Sequence, residues 1–190
     1  NEVSLDGVGL HTGVNVTLTF CPAPDNHGFK FQRIDLEGSP IIDADCDNVT
    51  DTARGTTITQ NGASVSTVEH VMAALVGMDL DNVLVKLNGP ETPIMDGSSI
   101  AFVEVLEIVG MPLDDYRFTC MIDYNSPVLG SQHAGISTIS EFKKDIASCR
   151  TFCFLHELEY QLKNNLIKGG DLNNAIVIVD KEVEQSELDH

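Results

Sequence analysis

The sequence predicts an α+β protein of two related halves, each a sheet backed by helices. Three observations carry that reading. Short alternating or β-branched segments recur along the chain, separated by turns rich in Gly, Pro and Asn. Segments with apolar residues at helical spacing lie among them. Finally, Asp79-Leu80-Asp81-Asn82, ahead of a Val-rich segment, is echoed by Asp171-Leu172-Asn173-Asn174 ahead of another, each after a helix and a glycine. The echo is short, but it points to a repeated unit with helices packed on one sheet face.

The elements follow in order. Val3–Gly13 holds Gly7-Val8-Gly9-Leu10-His11-Thr12-Gly13, a tightly turning stretch in which His11 is either a site residue or a turn histidine in solvent. Val14–Phe20 alternates, with Val16, Leu18 and Phe20 on one face, and predicts a half-buried strand. Cys21–Asn26 is a turn, Gly28–Ile34 a second strand, and Ile41–Val49 reads as irregular and acidic. Thr56–Thr59 is a short strand, Asn61-Gly62 a hairpin signal, and another strand follows. Ser66–Leu75 predicts a helix: Ser66 is the N-cap, Glu69 completes a capping box, and Val68, Val71, Met72 and Leu75 form the apolar stripe. Gly77 stands where a helix stops.

Asp79–Leu87 reads as turn and strand, and Asn88–Ser99 as loop. Ser98 or Ser99 caps a helix over Ala101–Val109 with Phe102, Val105, Leu106 and Val109 inward. Met111–Asp115 is the domain boundary, giving a first domain over 1–111 and a second over 112–190. Arg117–Tyr124 and Gly135–Ile139 read as strands. Ser140 caps a helix to about Cys149, His156–Leu166 is a further helix, and Ala175–Val179 is a β-branched strand. Lys181–His190 is acidic and frayed.

Composition narrows the function. The chain has 190 residues, enough for one or two domains with a real core. A hydrophobic content of 42% and a mean hydropathy of zero fit a globular protein. The longest apolar run, Ala175–Val179, is too short to cross a bilayer, so no transmembrane segment is expected. The chain opens at Asn1 without Met, which leaves room for a removed leader. A net charge of −18 argues against nucleic acid and against long-range steering of an anionic substrate. The five cysteines include no C-x-x-C. Cys149 and Cys153 lie four apart on a possible helix face, a conceivable metal half-site. The simpler reading is five reduced packing residues in a cytoplasmic protein.

Glu69-His70 is the chemical singularity: an acid and an imidazole side by side in a first helical turn, where backbone N–H groups favour negative charge. Taken alone, the pair is also an ordinary capping carboxylate with a polar neighbour. Neither HExxH nor a Cys/His quartet nor G-x-S-x-G occurs.

Five motifs in register go further. Gly7–Gly13 (GVGLHTG), Ser66–His70 (STVEH), Pro93–Ser98 (PIMDGS), Arg150–Phe152 (RTF) and Gly169–Val177 (GGDLNNAIV) together resemble UDP-3-O-acyl-N-acetylglucosamine deacetylase, the zinc amidase family of lipid A synthesis, over nearly the whole chain. The resemblance implies that Glu69 is the general base and His70 a ligand of Zn2+, since a metal activates water and an adjacent carboxylate takes its proton. It implies that the Thr151 hydroxyl faces the tetrahedral intermediate and that Phe152 lies beside the sugar. Leu158, Gly170 and Asp171 fall near the acyl-chain passage, with His11 close to the site. From the residues alone, Thr151 and Phe152 are equally a helix start and a core aromatic, and Asp96-Gly97 reads as a turn. The implied fold has the site between the halves, and the implied substrate is a UDP-activated acylated glucosamine. Some members of this family are fused to a dehydratase.

The sequence departs from the family in two ways. No H-K-x-x-D stretch follows Ile176, so the remaining zinc ligands are expected beyond residue 190. Gly110–Asp115 joins the halves almost directly, so the second half is expected to be incomplete, with an unpaired edge. The expectation is a deacetylase chain inactive by itself; the alternative is a non-catalytic binding module keeping part of that fold.

Overall fold

The computed structural model describes residues 1–108, 118–126 and 128–179. The first half runs β1 (Val3–Val8), β2 (Asn15–Pro22), β3 (Phe29–Arg33), β4 (Ile41–Asp43), β5 (Val49–Asp51), β6 (Thr57–Gln60), β7 (Ala63–Ser66), α1 (Glu69–Gly77), β8 (Val83–Leu87) and α2 (Ile100–Ile108). Alternation decides which faces meet. In β2, Val16, Leu18 and Phe20 turn inward, and registry carries one buried row from Phe20 to Val85, Phe31 and Ile42 across the sheet. That sheet has the order β1-β2-β8-β3-β4, with β3 and β8 parallel and the other neighbours antiparallel. A second, antiparallel sheet is β5-β6-β7. Its β6–β7 turn is Asn61-Gly62 with φ of 55° and 76°, the left-handed pair that a two-residue hairpin requires.

Helices close the core. Phe102, Val103 and Leu106 of α2 are buried, and the Phe102 ring meets Phe20 edge-on with centroids 6.3 Å apart. Val71, Ala74 and Leu75 of α1 are buried in the same cluster, with Val68 just ahead of the helix.

The second half has β9 (Phe118–Asp123) and β10 (Ser131–Ile136), paired antiparallel, then α3 (Ile139–Glu141), which runs into a π-helical turn at Phe142–Ile146. Then come β11 (Phe152–Phe154), α4 (Leu155–Lys163) and β12 (Ile176–Ile178), with β11 and β12 parallel. Ile136, Ile139, Phe142 and Ala147 join the first half's core. The α+β class therefore holds. The D-L-x-N echo has a structural counterpart as well: each copy follows a helix and leads into a strand, β8 or β12, that pairs in parallel with an earlier one.

Several local expectations are corrected. Ser66 does not cap α1; it ends β7, where its hydroxyl accepts from Thr57 Oγ1 at 2.9 Å. Position 68 precedes the helix without a side-chain cap bond, so the capping box is absent. Gly77 is the last residue of α1, as expected; a Cβ there would also overlap the Phe142 ring, so glycine admits that aromatic into the core. Thr138, not Ser140, caps α3, its hydroxyl accepting from Glu141 N at 3.1 Å. Ile41–Val49 is not irregular throughout, for it contains β4 and a 3₁₀ turn at Cys46–Asn48. The edge strand β1 precedes the glycine-rich turn. Cys149 and Cys153 share no helix, because Cys153 is in β11. All five cysteines are free, and Cys21 is the buried one. The expected boundary at Met111–Asp115, Val109 and the tail from Lys181 lie outside the described residues. Among the described residues no helix is long and apolar enough to cross a membrane.

Candidate active site

The site starts where β7 turns into α1. Ser66 is locked against the following loop, its N–H donating to Pro90 O at 3.0 Å and its C=O accepting from Thr92 N at 3.1 Å. Thr67 then adopts φ +58°, a left-handed conformation costly for a β-branched residue. The Thr92 hydroxyl donates to the Thr67 carbonyl and holds it there. The chain enters α1 at once, with Glu69 first. Glu69 Oε1 accepts from the Thr56 amide. Its other oxygen, Oε2, is buried and has no hydrogen-bond partner among the described residues. A buried acceptor left open in this way is uncommon and calls for a ligand or water.

His70 follows. Burial pushes its imidazole below the ordinary 6.5, while the Glu69 and Asp96 carboxylates pull it the other way. Asp96 sits in a turn, Oδ1 accepting from Ser98 N at 3.1 Å and from Ser98 Oγ at 2.7 Å. Its Oδ2 lies 4.0 Å from Arg150 Nε. The Asp96-Gly97 turn is therefore both a turn and a neighbour of the imidazole.

The same turn docks the second half. Thr151 N donates to Gly97 O at 2.6 Å, and Ile176 N donates to Thr151 O at 2.9 Å. Gly97 has φ +81°, and a Cβ there would overlap the Asn174 carbonyl. Asn174 is buried; its side chain accepts from Asp171 N at 2.9 Å and donates to Gly169 O at 2.8 Å. Gly169 N in turn donates to Leu10 O at 2.8 Å, tying the glycine-rich turn of the first half to that of the second.

Beside this seam lies a cavity of about 360 Å³, bounded by Leu10, Ile167 and Val177 together with Leu158 and Leu162 of α4. His11 lines it. Its ring bridges two segments, Nδ1 standing 3.1 Å from Leu166 O and Nε2 3.1 Å from Arg54 O. The next residue, Gly55, is the gap between cavity and carboxylate: a Cβ there would stand 3.6 Å from Glu69 Oε1 and 3.7 Å from His11 Nε2.

Of the residues singled out from sequence, His11, Thr151, Phe152, Leu158, Gly170 and Asp171 surround this cavity. Glu69 and His70 do not line it; they lie behind Gly55 and next to the Asp96 turn. Thr151 is no helix start, since it precedes β11, and Phe152 is no core aromatic, since 42% of it is exposed. Sequence reasoning missed Gly55 and Glu91. It quoted Asp96 and Gly97 within a motif yet read them only as a turn. Glu91 is 1% exposed and takes hydrogen bonds from Thr12 and Thr67. Burial works to raise its pKa, but bonds from the Thr12 amide, the two threonine hydroxyls and the His11 amide hold it below the ordinary 4.5. Among the described residues, the one group of three potential metal ligands within reach of each other is exposed Asp45, Cys46 and Asp47, and His70 is not part of it.

The candidate site thus combines a carboxylate with an open buried oxygen, an imidazole beside it and an apolar cavity across one glycine. The family profile of UDP-3-O-acyl N-acetylglycosamine deacetylase matches residues 1–111 and 108–189, and the chain belongs to that family. It is 44% identical to the bifunctional enzyme LpxC/FabZ of Bacteroides thetaiotaomicron, across all of this chain and 48% of that protein. The Porphyromonas gingivalis bifunctional enzyme LpxC/FabZ is 41% identical, over 100% of this chain and 47% of its own length. The UDP-3-O-acyl-N-acetylglucosamine deacetylase of Myxococcus xanthus is 39% identical over 92% of this chain and 65% of its own length. The chain thus spans about half the length of the bifunctional relatives it matches.

Proposed function

We propose that this chain carries the base and one metal ligand of a zinc-dependent hydrolase. Its reaction removes the N-acetyl group from UDP-3-O-acyl-N-acetylglucosamine, the committed step of lipid A biosynthesis, in the cytoplasm. The observation that carries the reading is Glu69 Oε2, a buried carboxylate oxygen without a partner, next to a half-buried imidazole. With Oε1 anchored on the Thr56 amide, Oε2 is the atom that accepts a proton from water. Burial keeps His70 neutral, the form that binds a metal. When bound, zinc supplies the Lewis acidity that makes water nucleophilic near neutral pH. Thr151 offers its hydroxyl to the developing oxyanion and Phe152 an exposed ring to the sugar. His11, Leu158, Gly170 and Asp171 border a cavity whose apolar walls suit an acyl chain.

The further His and Asp ligands that the resemblance implies are not among the described residues. The bifunctional naming of two relatives supports a second, fused unit in the parent protein, which we propose is the dehydratase. A second reading, a non-catalytic binding module, is favoured by His70 belonging to no group of three potential metal ligands among the described residues.

Zinc per chain and acetate release separate the two. In the whole protein, Glu69→Gln is expected to lower acetate release by about 10²–10⁴-fold. The 190-residue chain alone is expected to turn over little, since one ligand holds zinc weakly. Near-stoichiometric zinc with turnover by this chain would remove the binding-module reading, and full activity of Glu69→Gln would remove the base.

A further inference from the structure

We propose that Glu91 is a positioning residue whose buried carboxylate ties the His11 turn to the start of the Glu69-His70 helix, so that both sides of the site hold one register. The inference rests on the proposal that His11, Glu69 and His70 form the site, and it assigns a role to a residue outside them.

The chemistry of Glu91 is unusual for its burial. It is 1% exposed, and among the described residues no cation pairs with it. A buried carboxylate without a counter-charge is unfavourable unless donors fill its lone pairs. Here they do. Oε2 accepts from Thr12 N at 2.9 Å and from Thr12 Oγ1 at 2.7 Å. Oε1 accepts from His11 N at 3.1 Å and from Thr67 Oγ1 at 2.7 Å. Every partner is an N–H or O–H, and a carboxylate is the side chain that accepts at all of these sites and donates at none. Glutamine at this position would aim an N–H₂ at donors.

The donors belong to segments far apart in sequence. His11 and Thr12 form the glycine-rich turn, and the His11 ring lines the cavity. Thr67 is the residue in the left-handed conformation, two positions ahead of Glu69. The bond from its hydroxyl to Glu91 offsets that strain and fixes the direction in which the chain enters α1. Gly9 leaves the space this needs, for a Cβ there would stand 2.5 Å from Glu91 Oε2. The first glycine-rich motif therefore cradles a carboxylate of the same protein, which accounts for Gly9 without a phosphate or nucleotide.

The test compares wild type with Glu91→Gln, Glu91→Asp and Thr67→Gly in the purified chain, reading the ¹H–¹⁵N imidazole signals of His11 and His70 at one pH together with urea unfolding. A tie between the two sides predicts that Glu91→Gln displaces both sets of signals in the folded protein and that Glu91→Asp returns them part of the way. Thr67→Gly tolerates the left-handed backbone but cuts one arm of the link. It is expected to move the His70 signals and leave those of His11 in place, and it decides the matter if Glu91→Gln does not fold. Unchanged His70 signals in Thr67→Gly, or a lowered urea midpoint in Glu91→Gln with both imidazoles unmoved, would overturn the tie. Absence of zinc or turnover in the whole protein would count against the hydrolase and not against the tie, which the imidazole signals of the chain read directly.

Discussion

The two halves handle apolar surface differently. In the first, Leu18, Phe31, Val85, Leu87 and Phe102 are fully buried, and the sheet rows and helix stripes interlock. In the second, Met121 is 78% exposed and Leu172 79%, and β11 and β12 present Phe152 and Ile176 outward. The second half contributes a few anchors, Ile136, Ile139, Phe142 and Ala147, to the core of the first. The contrast teaches that the first half supplies rigidity, whereas the second lends loops and α4 to a cavity wall. Stability belongs to one region and much of the candidate site to the other.

The largest break in that contrast is in the core. Phe102→Ala removes a ring packed on Phe20 and is expected to cost about 3–5 kcal/mol in urea unfolding. Leu172→Ala, at the exposed extreme, should stay within about 0.5 kcal/mol. Equal losses would erase the distinction. Next comes the seam. Gly97→Ala adds a Cβ at φ +81° against the Asn174 carbonyl and is expected to cost about 1–3 kcal/mol. Limited proteolysis should then cut around Arg150–Asn174 well before the β1–β8 sheet; uniform cleavage of both halves would contradict the division. The smallest effect is pH dependence. His70 binds its proton less readily folded than unfolded, so the unfolded state takes up more protons below the ordinary 6.5. Its contribution to stability is therefore complete above that pH and declines as pH falls through 6.5 toward the lowered folded value. His70→Ala should flatten this part of the urea-midpoint profile, and an unchanged profile would show that the ring is not desolvated.

The same contrast explains what the sequence could tell. Strands such as Val14–Phe20 were legible because alternation marks a face against a core, and the Asn61-Gly62 hairpin because its backbone demands those residues. Position 66 misled because Ser suits an N-cap and an edge of β7 alike, and strand pairing with β6 decided between them. Gly77 was legible as the end of α1, but the close approach of Phe142, from the other half, leaves no local trace. The motif residues were readable by resemblance. Glu91 was not, because nothing around position 91 announces that threonines at 12 and 67 will converge on it.

The contact between the His11 ring and the Leu166 carbonyl joins positions 155 apart. A ribosome making this chain completes the carboxylate cradle once Thr92 has emerged, but it must synthesise α4 and the turn beyond it before the cavity gains its far wall. Closing so long a loop is slow and comes late. A nascent chain therefore exposes Glu69 and His70 before the apolar cavity has its far wall, and the cavity is completed late in folding.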